Sequence, residues 1–152
     1  MAAPSRTQAQ NPALRDALVE LSFAVGDVLT RAAAPHHLSV TQLRLLGILT
    51  DRIPAMTAIA EHLGLDRSSV TGLVARAEQR GLVTRTASAD DARVTLVAIT
   101  IEGRRLIGRI GVTVAAELEA LMAPASAADR DRVVKVVTAV LGARPSPIGP
   151  PR

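Results

Sequence analysis

Cysteine is absent from the 152 residues. Disulfides, thiolate nucleophiles, zinc–thiolate sites and cysteine redox sensing are therefore excluded. Aromatics are almost absent too, at 1% of the chain, and Phe23 stands alone with no Tyr or Trp. A core with so few rings has to be built from Ala, Val, Leu and Ile, which supply most of the 48% hydrophobic content. That mix favours helices packed on helices over an aromatic-rich β-sandwich. No apolar run nears the roughly 20 residues a membrane helix needs, so no membrane partner is expected. The stretch MAAPSRTQAQNP has no positive segment followed by an apolar one. It does not read as a secretory signal, and a cytoplasmic protein is expected. An excess of one charge is also nearly missing. The formal net charge is +4, and setting aside Arg6, Arg144 and Arg152 in the tails leaves about +1 for the body. A basic balance points toward nucleic acid, and this one does so only faintly.

What is present is helical periodicity. The length suits one domain, expected over residues 12–142. Residues 1–11 and 143–152 are rich in Pro, Ser, Gln and Gly and are expected to be disordered tails. From Pro12 to about Ala34, Leu14, Leu18, Leu21, Val25 and Val28 recur at spacings of 4, 3, 4 and 3, an apolar seam on a long helix. Asn11 can cap it and Pro12 suits its first turn; Pro35 ends it. A second helix starts at Ser39 with Leu43, Leu46 and Ile48 inward. A third is expected to begin at Pro54 and end near Leu63, and a fourth to run from Asp66 to about Arg80, stopping at Gly81. The segment VTRTASADDARVTLVAI is β-branched at both ends and polar between, which predicts a hairpin with strands near 82–86 and 93–98. Thr100 can cap a further helix with a stripe of Leu106, Ile110, Val114, Leu118 and Leu121. Pro124 closes that helix, and a last one from about Ser126 carries Val133, Val137, Val140 and Leu141. The expected class is mainly α with a small β-hairpin wing.

Residues 59–83, IAEHLGLDRSSVTGLVARAEQRGLV, have the pattern of a helix-turn-helix. Ala60 lets two helices approach, Gly64 makes the tight turn, Val70 and Leu73 anchor the second helix, and Asp66 can cap it. The exposed face of that helix carries Arg67, Ser68, Ser69, Thr71, Gly72 and Arg76. Small polar side chains let a helix sink into a major groove, where Ser and Thr bond phosphates or base edges and Arg can pair with guanine. Two helices joined by Gly in an ordinary protein produce part of this pattern as well. A hairpin following the pair makes a winged helix, and its tip holds Asp91, Ala92 and Arg93. A tip arginine can enter a narrow minor groove. Taken alone, Asp91 and Arg93 read as a solvated loop with a surface ion pair.

At this point the chain resembles the MarR family of bacterial winged-helix regulators. The stretches that carry the likeness are LSVTQLRLLGIL (38–49), the turn at Gly64 with LDRSSVTGLVARAEQRGLV (65–83), DDAR (90–93) and VAITIEGRRL (97–106). The resemblance implies a winged lobe over 39–98 flanked by dimerisation helices at 12–34 and 100–142. It implies a homodimer whose first and last helices intertwine, with each recognition helix in a major groove and each wing in a minor groove. Carried over by motif, Ser68, Ser69, Thr71 and Arg76 lie on the recognition helix, Arg93 is the wing arginine and Asp91 the acid that orients it. Two positions depart from the pattern: Ala92 stands where many members have a second arginine, and Gly72 where many have a larger polar residue.

The outer stripes support the dimer independently, because apolar faces of that length left open would form a patch that soluble monomers avoid. Leu14, Leu18 and Leu21 on the first helix and Val133, Val137 and Val140 on the last are its expected contacts. A two-fold dimer predicts a pseudo-palindromic double-stranded DNA operator with half-sites about 10 bp apart. The resemblance also implies a small-molecule effector, with phenols and aromatic carboxylates common in the family, and a repressor that lets go of DNA on binding it. Arg15, His36, His37 and Arg44 are candidates for an anionic effector, with exposed polar residues near a helix end as the plainer reading. Adjacent His36 and His37 raise metal binding, but no spaced third ligand accompanies them, so neither metal nor cofactor is expected. No phosphate-binding Gly loop or His–carboxylate pairing at catalytic spacing is present, so no enzyme is expected. The competing reading is a winged-helix module that binds protein and not DNA. Leu, Met or aromatics on the recognition face would mark such a module, and that face is polar and bears arginine.

Overall fold

The computed structural model describes residues 11–142, so the tail expectations for 1–10 and 143–152 lie outside it. Asn11 belongs with the helix and not the tail: its side chain accepts from the Leu14 amide at 3.1 Å. The helices are α1 (Pro12–Ala33), α2 (Val40–Ile48), α3 (Met56–Leu63), α4 (Arg67–Gln79), α5 (Ile101–Leu121) and α6 (Ala127–Leu141). A single hairpin, β1 (Val83–Ala87) and β2 (Thr95–Ile99), stands between α4 and α5. This is the expected mainly helical winged-helix architecture.

Side-chain caps set most of the helix starts. Ser39 and Gln42 form a reciprocal capping box on α2. Asp66, Thr100 and Ser126 each accept from the amide three residues on. Gly64 ends α3 with φ of 65°, a left-handed conformation that costs a side-chain-bearing residue. Gly103 is needed for a different reason. A Cβ there would lie 2.2 Å from the Leu82 carbonyl oxygen, so the first turn of α5 presses backbone to backbone against the end of the α4–β1 turn.

α3 starts later than its sequence predicts. Pro54 does not begin that helix. Its carbonyl accepts from the Val97 amide at 3.0 Å, and Ala55 bridges Leu96, so this segment extends the hairpin sheet before α3 starts at Met56. The strands pair antiparallel with Val83 opposite Ile99 and Ala87 opposite Thr95, each displaced by a residue or two from the expected positions.

The core is aliphatic and contains no buried polar side chain among the described residues. Leu43, Leu45, Leu46 and Leu49 fill its centre, so α2 is buried nearly all round, beyond the three inward positions its sequence suggests. Ile59, Val70, Val74, Val97 and Ile110 close around it. Phe23 lies outside, 68% exposed. α1 packs along α5 and reaches the core only at its end, through Val28, Ala32 and Ala33. α6 buries no residue.

Candidate nucleic-acid interface

The lobe presents α4 along one edge, with the wing on one side and the start of α2 on the other. Asp66 organises the first turn of α4. Its carboxylate accepts from the Ser69 amide at 2.9 Å, from the Ser68 hydroxyl at 2.5 Å and from the Ser69 hydroxyl at 2.6 Å. These bonds, led by the Ser68 hydroxyl, hold its pKa far below the usual carboxylate range. The Thr71 hydroxyl donates to the Arg67 carbonyl at 2.8 Å. All three hydroxyl protons are thus engaged within the helix, and what these side chains offer outward is acceptor capacity, suited to base amino groups.

The wing is tied to α4 at its base. Arg85 on β1 donates to the Glu78 carboxylate through Nε at 2.8 Å and Nη2 at 2.5 Å. The Arg85 hydrogen bond lowers the Glu78 pKa, and Glu78 raises that of Arg85. At the tip, Asp91 accepts from the Arg93 backbone amide at 2.9 Å and from its Nε at 3.2 Å. The same bonds, the backbone one first, depress the Asp91 pKa. The Arg93 side chain is nevertheless 91% exposed, so the acid aims it without burying it.

Two clefts flank α4. The one toward the wing, about 300 Å³, is lined by Thr57, Arg67, Thr71, Arg85, Arg93 and Thr95 among others. The one toward α2, about 440 Å³, takes in Ser39, Thr41, Ser68, Ser69, Gly72 and Arg76. The structure therefore gathers every expected recognition residue and the wing arginine along one face. Thr57, Arg85, Ser39 and Thr41 join them without having been singled out in the sequence. Arg85 and Thr95 sit in a β-branched run that reads only as strand, and Ser39 reads only as a cap.

The four effector candidates do not gather. Arg15 lies in the first turns of α1, paired with Asp16 at 2.7 Å, whereas His36 and His37 follow the far end. At 1.5 Å per residue the helix holds them about 30 Å apart. The carbonyls of His36 and His37 accept from Arg80 at 2.8 and 2.9 Å, which ties the last turn of α4 to the α1–α2 junction. Arg44 is exposed. Among the described residues no three His, Asp or Glu side chains are grouped to hold a metal. The expected dimer residues stand open: Leu14, Leu18, Leu21, Val133, Val137 and Val140 are between 40% and 77% exposed. No described helix is long and apolar enough to cross a membrane.

Residues 36–94 match the model of the MarR family. No curated protein matches the sequence. Among solved structures, a MarR-family transcriptional regulator from Rhodococcus sp. RHA1 is 25% identical with a TM-score of 0.76, covering 91% of this chain and 99% of that one. CouR from Rhodococcus jostii RHA1, whose structure holds p-coumaroyl-CoA, is 25% identical with a TM-score of 0.70, covering 92% and 98%. Apo MarR from E. coli, at 18% identity, TM-score 0.76 and coverage of 84% and 96%, shows the shared fold alone. The winged lobe is thus similar to the MarR family over residues 36–94, and the chain shares its fold with a MarR-family regulator over 91% of its length.

Proposed function

We propose that the protein is a homodimeric transcriptional repressor that binds a pseudo-palindromic operator and is released by a small-molecule effector. One observation carries the reading. α4 and the wing form a continuous polar face with Arg67, Arg76 and Arg93 on it, flanked by two open clefts. A protein-docking module would place apolar anchors on that helix, and its large apolar residues Val70, Leu73 and Val74 are instead buried in the lobe. In the dimer, Leu14, Leu18 and Leu21 of α1 and Val133, Val137 and Val140 of α6 meet their symmetry mates, which covers the faces the single chain leaves exposed.

The effector reading leans on CouR, which binds an aromatic acyl thioester. For this chain we place an aromatic acid or thioester in the cleft of about 360 Å³ between α1 and α5, which Val28, Arg31, Glu117 and Leu121 help to line. It lies where the outer helices join the lobe, whereas Arg15 and His36 sit at opposite ends of α1. Arg31 and Glu117 are paired across it at 2.8 Å, and a carboxylate ligand would compete with Glu117 for that guanidinium.

The test is binding to the DNA upstream of the protein's own gene over a salt series. Six or more phosphate contacts predict an affinity loss of about a thousandfold or more between roughly 50 and 200 mM salt. Absence of binding to any promoter fragment at the lowest salt would end the repressor reading.

A further inference from the structure

Ser68, Gly72 and Arg76 fall four residues apart on α4 and form one ridge facing the cleft toward α2. The middle of that ridge is bare. The Arg76 guanidinium folds back over the gap: a Cβ built on Gly72 would lie 3.2 Å from Arg76 Nη1. That distance is too tight for the present pose, and the obstruction is the far end of a flexible side chain, not backbone. An alanine at 72 would therefore be accommodated by moving Arg76. No carboxylate among the described residues pairs with Arg76. Its Nη1 lies beside the space that a side chain at 72 would enter.

We infer that Gly72 is a specificity-determining residue. By leaving the ridge bare it seats the Arg76 guanidinium against α4, where its paired N–H groups meet the O6 and N7 acceptors of a guanine in each half-site. A bidentate pair of that kind needs the planar fork at a fixed depth and angle. A Cβ at 72 would make the guanidinium give way by a few tenths of an ångström, which disturbs that fit. The glycine is also costly to the helix, because Gly is among the poorest residues in a helix interior. Replacing it should strengthen the fold while weakening the readout, a combination that a merely structural glycine would not give.

The inference rests on the DNA-binding reading above, and the experiment separates the two. Full-length protein, Gly72→Ala and Arg76→Ala are each used to select sites from a randomised duplex pool, with affinity for random duplex and thermal unfolding measured alongside. The wild-type protein is expected to select half-sites with a fixed guanine. Gly72→Ala should melt higher, and any loss of affinity for random duplex should be smaller than its loss on the selected site. It should lose about tenfold or more of the preference at that one guanine, the range of a bidentate base contact. Arg76→Ala should relax the same position. Selection of an unchanged site at unchanged affinity by Gly72→Ala overturns the inference and leaves the DNA reading standing. So does an equal loss of random-duplex binding, which would make Gly72 a general clearance residue. A wild-type protein that selects no site removes both.

Discussion

Residues 39–99 and the helix α6 are built from the same aliphatic vocabulary and end in opposite states. In the lobe, Leu43, Leu45, Ile59, Val70 and Val97 are each at most 2% exposed. On α6, Val133, Val137 and Val140 are 41%, 43% and 77% exposed, and nothing is buried. The first half of α1 behaves like α6, while its last turns join the lobe through Val28, Ala32 and Ala33. Propensity does not explain the contrast, because β-branched valines are weak helix formers in either place. Among the described residues the lobe's apolar groups bury one another, while the stripes on α6 and the first half of α1 stay exposed. The same residue type therefore reports folding in one region and, in the dimer proposed above, association in the other.

Substitutions can break that contrast, and the largest effect is expected at an outer helix. Leu18→Asp would put a charge into a two-fold interface twice, each unpaired buried charge costing about 3–5 kcal/mol. Sedimentation should show loss of the dimer, and operator affinity should fall with it. A soluble Leu18→Asp dimer of normal stability would contradict the seam. Leu45→Ala, at the centre of the lobe, should cost about 2–5 kcal/mol in chemical denaturation. It should act on folding and leave the association constant of the folded protein nearly unchanged. Arg93→Ala should do neither. The dimer and the melting curve stay as they are, and operator affinity drops about tenfold, the lower range for a groove-reading arginine; unchanged affinity would remove the wing from the minor groove.

The smallest effect concerns Asp66, whose pKa is depressed in the folded state by the Ser68 and Ser69 bonds. A depressed carboxylate adds stability above its unfolded pKa, near 4, and loses it as pH falls through that range and below. The melting temperature of Asp66→Ala should sit a few degrees below wild type at neutral pH. The gap should close as pH drops from about 4. A gap that persists undiminished to the lowest accessible pH would mean the carboxylate charge is not what caps α4.

Much of this was legible in the sequence because its signals are local. Asn11, Ser39, Asp66, Thr100 and Ser126 announce helix starts within three residues of the amides they bond. Gly64 announces the turn, and the polar run 88–93 the hairpin tip. What stayed hidden depends on pairs distant along the chain. Pro54 and Ala55 join the sheet through Val97 and Leu96, and Arg80 reaches back to the carbonyls of His36 and His37. Exposed arginines have no periodicity to betray a partner, so nothing in the sequence pairs Arg85 with Glu78. The separation of Arg15 from His36 is the exception. The rise of an uninterrupted helix already rules out a shared site within one chain. Gly72 reads in the sequence as a missing contact, and only the structure puts the Arg76 Nη1 beside that gap.

The central claim is that two copies of this chain read one side of a duplex through paired recognition helices. Hydroxyl-radical footprinting of the dimer on its own promoter tests it most directly. Two protected patches on one face, centred about 10 bp apart and related by an inverted repeat, are the predicted result. A single patch, or a footprint that the monomeric Leu18→Asp variant reproduces at equal concentration, would contradict it.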